Sequence, residues 1–270
     1  MSSQFSTPQP PDQSSVIGRS LCLAALIVRG TIESAIQLAN GCADSERFHE
    51  LAHRLSRWLN DQDFTAQFTM DELEALSSAP GTWSETQHQL QSERVEAIGI
   101  LHWALSLEDV VPDYTQPSSL PDLQPMLGWP GNAILSPNHE ALAEFPYNGT
   151  DLLTGLAQLR PLPALLIQRG AADCWLWRVN MANHQRANPT PPPGHDYAML
   201  IGIAAEEARS AGAIGRPVKN DFPVQGRPFS EMPESLQIQC GRLATARHLA
   251  LDWLCGYASA WDALTMATAA

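Results

Sequence analysis

Between Ser45 and Asn60 the apolar residues Phe48, Leu51, Ala52, Leu55, Trp58 and Leu59 follow one another at spacings of three, one, three, three and one. That spacing draws a single stripe along an amphipathic helix. No stretch of the chain shows the clean period-two alternation of a half-buried strand. Other segments carry helix boundaries as well as helix periodicity. Ser14 or Ser15 caps a helix running to about Val28, and Thr31 begins a second that Asn40-Gly41 closes after Leu38. Thr69 and Glu72 spell a capping box, and Pro80-Gly81 ends the short helix behind it. A long, centrally buried helix is expected from about Ser84 to Leu107, because its apolar residues occupy more than one face after Val95. Shorter ones follow over about 151–159, over 165–179 (where helix is favoured over strand), from Asp196 to about Ala211, and finally from about Ser235 to Ala258.

Proline-rich stretches separate several of these helices. The expected fold class is mainly α: a single multi-helix domain over 14–268, with long Pro-rich connecting loops at about 112–150, 183–195 and 216–233, and little or no sheet. At 270 residues and 44% apolar content such a domain buries its own core without staples. The opening MSSQFSTPQPPDQ reads as a disordered tail over 1–13 and lacks the basic start and apolar core of a secretory signal. The longest apolar run, Leu21–Val28, lies between Arg19 and Arg29 and spans only about 12 Å as a helix, so no membrane span is expected. Five scattered cysteines with no C-x-x-C pair indicate reduced thiols in a cytoplasmic setting.

Sixteen Lys+Arg against 29 Asp+Glu leave a net charge of −13, which repels nucleic-acid phosphates and anionic lipid and suits a basic partner. Gly-rich phosphate loops and the G-x-S-x-G elbow of a serine hydrolase are absent.

One motif points to metal chemistry. His49-Glu50-Leu51-Ala52-His53 matches H-E-x-x-H, in which His49 and His53 grip one zinc ion from adjacent turns and Glu50 takes a proton from its bound water. Glu72 or Glu74 could complete the ligand set. Arg47 and Arg54 flank the motif, however, and Ser56 and Leu59 stand where the extended metzincin pattern needs Gly and His. The expected reading is therefore no cofactor, with a zinc-dependent hydrolase or peptidase as the alternative.

Toward the C-terminus, residues 220–268 carry Asp221, Phe222, Pro223, Val224, Gly226, Pro228 and Phe229, then Arg247, His248, Ala250, Leu251, Trp253, Leu254, Gly256 and Tyr257, and last Trp261, Asp262 and Thr268. In that order they match D-F-P-V-x-G-K-P-[YF], E-R-H-x-A-L-N-W-L-x-G-Y and W-D-x-x-x-T-D-T. Upstream, Ser92, Arg94, Glu96, Ala97, Leu101, Trp103, Ala104 and Leu105 match S-W-R-x-E-A-L-x-x-L-x-W-A-L, and Trp175, Trp177 and Arg178 match A-x-L-W-x-W-R. The chain thus resembles the bacterial family catalogued as domain of unknown function 4272, and the resemblance implies a mainly helical bacterial cytosolic domain. Ala246, Asp252, Glu93 and Met266-Ala267 depart from the pattern, and two of its acidic positions are lost, which favours binding over catalysis.

The C-terminal helix supplies the candidate site. His248 and Asp252 stand one turn apart, so the carboxylate can orient the imidazole as a general base. The candidate binding set is Arg247, His248, Asp252, Trp253, Trp261 and Asp262, with Glu50, His248 and Asp252 as the catalytic candidates. The function expected is a protein- or ligand-binding domain, of adaptor or immunity type, acting on a protein or small ligand.

Overall fold

The computed structural model describes residues 9–39, 45–60, 63–118, 149–258 and 261. The start of the expected tail, the Asn40-Gly41 stop, most of the 112–150 loop and Asp262 lie outside them. As the periodicity predicts, the chain is mainly helical. Eight α-helices are seen among the described residues: α1 Gln13–Leu38, α2 Ser45–Asn60, α3 Met70–Ser77, α4 Glu85–Ala104, α5 Gly149–Leu156, α6 Leu162–Ala187, α7 Tyr197–Ser210 and α8 Glu234–Leu254. The sheet is one hairpin, β1 Pro223–Val224 against β2 Arg227–Pro228, antiparallel with Val224 opposite Arg227. The described residues gather into two compact units. The first contains α1 to α5, and the second contains residues 112–117 and α6 to α8 with the hairpin between α7 and α8.

In the first unit α1 is the central helix. It packs on α2, α3, α4, α5 and the 3₁₀ turn Asp63–Gln67, and every residue from Val16 to Gly30 is buried. The two helices expected before Leu38 are one. Its cap is Asp12, whose carboxylate accepts from the Ser15 N–H at 2.8 Å. Gly30, which lies between the two expected helices, is an interhelical notch: a Cβ there would lie 1.7 Å from the Gln91 Nε2 of α4 and 2.7 Å from Trp83 Cζ3. Gln91 uses the gap to donate to the Ile27 carbonyl at 3.1 Å. We expect Gly30→Leu to lower stability in urea by about 1–3 kcal/mol through overpacking. Gly170→Ala in α6, where the added methyl meets nothing within 4 Å, should raise it by about 0.5–1 kcal/mol.

By length and composition α1 meets the requirements of a membrane span, which the shorter run Leu21–Val28 does not. Yet 72% of its apolar window is buried among the other helices, and its charges are paired there. Arg19 forks onto Glu72, the same carboxylate that closes the Thr69 capping box through the Thr69 N–H. Arg29 holds Glu33 at 2.8 Å and the Ser78 carbonyl at 2.8 Å, while Glu33 accepts from the N–H groups of Gly81 and Trp83. Buried charges persist only when paired in this way. Here they fix the Pro80-Gly81 turn and aim α4 back along α1. Ser84 and Gln87 then form a second capping box.

The second unit is built on α6 packed against α8, with α7 on α6. Pro161 and Pro163 open α6, and Pro233 opens α8, where the missing N–H costs nothing. α6 runs past the expected boundary at Val179: Asn183–Ala187, read as the start of a loop, form its last turn, and it stops at Asn188 because Pro189 disfavours a helical residue before it. α8 ends at Leu254 rather than Ala258, since Gly256 adopts φ +77°. The expected 216–233 loop holds the hairpin and a 3₁₀ turn, Phe229–Glu231. Gly241 of α8 meets α6 so closely that a Cβ would lie 2.9 Å from Val179 Cγ1.

Candidate functional site

The packing of α6 on α8 places Asp173 and Arg169, one turn apart on the first helix, beside His248 and Asp252, one turn apart on the second. His248 Nε2 lies 2.7 Å from Asp173 Oδ1, and His248 Nδ1 lies 3.4 Å from Asp252 Oδ2. Arg169 closes the circuit, donating from Nε to Asp252 Oδ1 at 2.5 Å and from a terminal nitrogen to Asp173 Oδ2 at 3.0 Å. Its guanidinium also sits 4.2 Å from the centre of the Tyr257 ring. Burial works against the charge on Arg169, but hydrogen bonding and charge from Asp252, with the charge of Asp173, more than offset it and raise its pKa. The circuit opens to solvent on one side: the Asp173 side chain is 46% exposed, those of His248 and Asp252 15% and 18%.

Sequence spacing alone pairs His248 with Asp252. Arg169 and Asp173 escaped that reading, although their own i, i+4 spacing on a helix was the available signal. Arg247, expected beside His248, points elsewhere, because successive helical residues are about 100° apart. It is fully buried, donates to the carbonyls of Pro112 and Gln116 at 2.9 and 3.0 Å, and lies over the Tyr114 ring, which stacks on Trp175. Trp253 is buried and meets Trp261 edge-on at 5.3 Å, so this pair packs with itself. Asp262 lies outside the described residues.

What the circuit can do chemically follows from its geometry. A general base needs an imidazole nitrogen free to receive a proton. Both nitrogens of His248 face carboxylates. A nucleophile is equally wanting among the neighbouring thiols: burial pushes Cys255 up to about 11, and burial with the charges of Asp173 and Glu207 raises Cys174. No family model, curated protein or solved structure matches the chain. The family resemblance rests on the motifs quoted above.

His49-Glu50-x-x-His53 forms on α2 as its spacing demands. Leu51, Ala52 and Leu55 face inward, His49 is half-buried, and Glu50 and His53 are exposed. Arg54 and Arg57 hold Glu50 Oε1 at 3.0 and 3.2 Å. The hydrogen bond from Arg54 keeps this carboxyl below its ordinary range, the opposite of the tuning that a general base needs. Glu72, a suggested third ligand, is occupied by Arg19 and the Thr69 cap. Among the described residues no three His, Cys, Asp or Glu side chains are gathered for a metal ion.

Proposed function

We propose that the protein is a non-enzymatic binding domain of the bacterial cytosol, a member of the family that it resembles, which receives a basic group of a partner protein at the Asp173–His248–Asp252–Arg169 circuit. The observation that carries this reading is the seating of His248 between two carboxylates, Asp173 at 2.7 Å and Asp252 at 3.4 Å, which supports recognition over proton transfer. The half-exposed Asp173 offers a preorganised acceptor to an incoming Lys or Arg, and charge-assisted hydrogen bonds of this kind are the strong ones. A net charge of −13 favours the same class of partner and speeds its approach at low salt. An adaptor or immunity-type protein that neutralises a basic partner fits these properties, whereas nucleic acid and anionic membrane do not.

The test is capture from lysate of the native organism on immobilised wild-type protein and on Asp173→Asn. A basic partner should be retained by the wild type, released by raised salt, and bound about tenfold more weakly by the variant. Equal retention by both proteins, or hydrolytic turnover abolished in His248→Ala, would rule the reading out.

A further inference from the structure

The charge of this acidic chain changes sign over one loop. From Ala208 to Asn220 there is no acidic residue, while Arg209, Arg216 and Lys219 all fall within it, and Lys219 is the single lysine in the sequence. In the structure these three side chains line one open concavity of about 830 Å³, beside the C-terminal part of α7. An apolar concavity of about 850 Å³ adjoins it and shares Gly202, Glu206 and Asn220. Its floor includes Met199 and Ile203, both about half exposed, on the outward face of α7.

The position of Lys219 is imposed by the fold. Val218 and Asp221 exchange both backbone hydrogen bonds at 3.0 Å, and between them Lys219 and Asn220 adopt φ +50° and +59°. A two-residue turn of this kind prefers Asn-Gly, and a lysine in the left-handed region is strained. Such strain persists only where the surroundings over-determine it, and it concentrates at ligand sites. Here the anchor is Asp221, buried and gripped by Arg178. Two of the three cations already have partners, Arg209 with Glu206 and Lys219 with Glu231, both at 2.5 Å, but these pairs are exposed and hence weak. Arg216 has no ion-pair partner among the described residues and is exposed.

We infer that this groove binds an amphiphilic anion. Its oxyanion end is received by Arg216, with Lys219 and Arg209 turning from Glu231 and Glu206, and its apolar body lies along Gly202 toward Met199 and Ile203. The single lysine supplies the reporter. Reductive methylation with ¹³C-formaldehyde labels Lys219 and the α-amine, and the Lys219 methyl signal is followed while octanoate, acetate or inorganic phosphate is added.

Octanoate should move the signal saturably and bind at least about tenfold more tightly than acetate, because only its chain gains from the apolar end. Arg216→Ala should weaken octanoate about tenfold. Gly202→Leu should block it while leaving the circular dichroism spectrum unchanged and the urea midpoint no lower than that of the wild type, since Gly202 lies within α7 and a Cβ there meets nothing closer than 3.5 Å. A shift that does not saturate, an unaltered response in Arg216→Ala, or acetate or phosphate binding as tightly as octanoate overturns the inference.

Discussion

Asp221→Ala is expected to cost about 3–5 kcal/mol of stability, the largest effect of any single substitution in the second unit. Asp221 is 3% exposed and accepts four hydrogen bonds: from Arg178 Nε at 2.6 Å, an Arg178 terminal nitrogen at 2.8 Å, and the N–H groups of Phe222 and Ser230 at 2.7 and 2.8 Å. Burial alone would raise the pKa of this carboxyl, yet Arg178 outweighs it and the net shift is downward. Its removal leaves a fully buried guanidinium over the Phe229 ring with no counter-charge, and two backbone donors without an acceptor. The checks are urea denaturation of wild type and Asp221→Ala, together with the double variant Arg178→Met/Asp221→Leu. The double variant should recover part of the loss, since it removes the stranded charge but not the stranded N–H groups. A loss below about 1 kcal/mol in Asp221→Ala would show that the pair is not the anchor described.

The second large effect is a loss of stability in mild acid, centred on His102 in α4. This imidazole is 0% exposed, neither ring nitrogen has a hydrogen-bond partner among the described residues, and burial pushes its pKa down from 6.5 to about 4. The fold therefore holds the neutral form, while the unfolded chain takes up a proton at its ordinary pKa. Above pH 6.5 the stability is fully present. As pH falls from 6.5 to about 4 the unfolded state binds more protons, and about 3 kcal/mol is lost; below that window this group adds nothing further. Asp221 contributes in a separate window, because its lowered pKa confines its loss to pH values below 3.8. Urea midpoints from pH 7.5 to 4.5 should fall steeply in the wild type and much less in His102→Leu. That variant should match or exceed the wild type at pH 7, because no hydrogen bond is given up. Parallel curves for the two proteins would sink the assignment.

The capping box at Thr69, the start of α4 at Ser84, the extent of α2 and the Asp196 cap of α7 depend on groups within four residues of one another, and each was legible in the sequence. The continuity of α1 through Gly30 was not legible, because that close approach depends on Gln91 of another helix, which no local pattern records. His49, Glu50 and His53 were legible as a turn of helix, but the hold of Arg54 and Arg57 on Glu50 required their actual rotamers. At the other end, the His248–Asp252 spacing was visible. The Arg169 and Asp173 half of the circuit was not, because it comes from a different helix.

By itself, then, the sequence determined the helical class, most caps and breaks, the net charge, and which residues lie one turn apart. All of these follow from interactions within a few residues along the chain or from simple addition. Only the tertiary structure decided that α1 is continuous and enclosed, that Arg247 turns into the core while His248 faces two carboxylates, and that the lone lysine stands at a groove. Those outcomes depend on how helices far apart in sequence set against one another, where a change of one residue in register rotates a side chain by about 100° and exchanges surface for core.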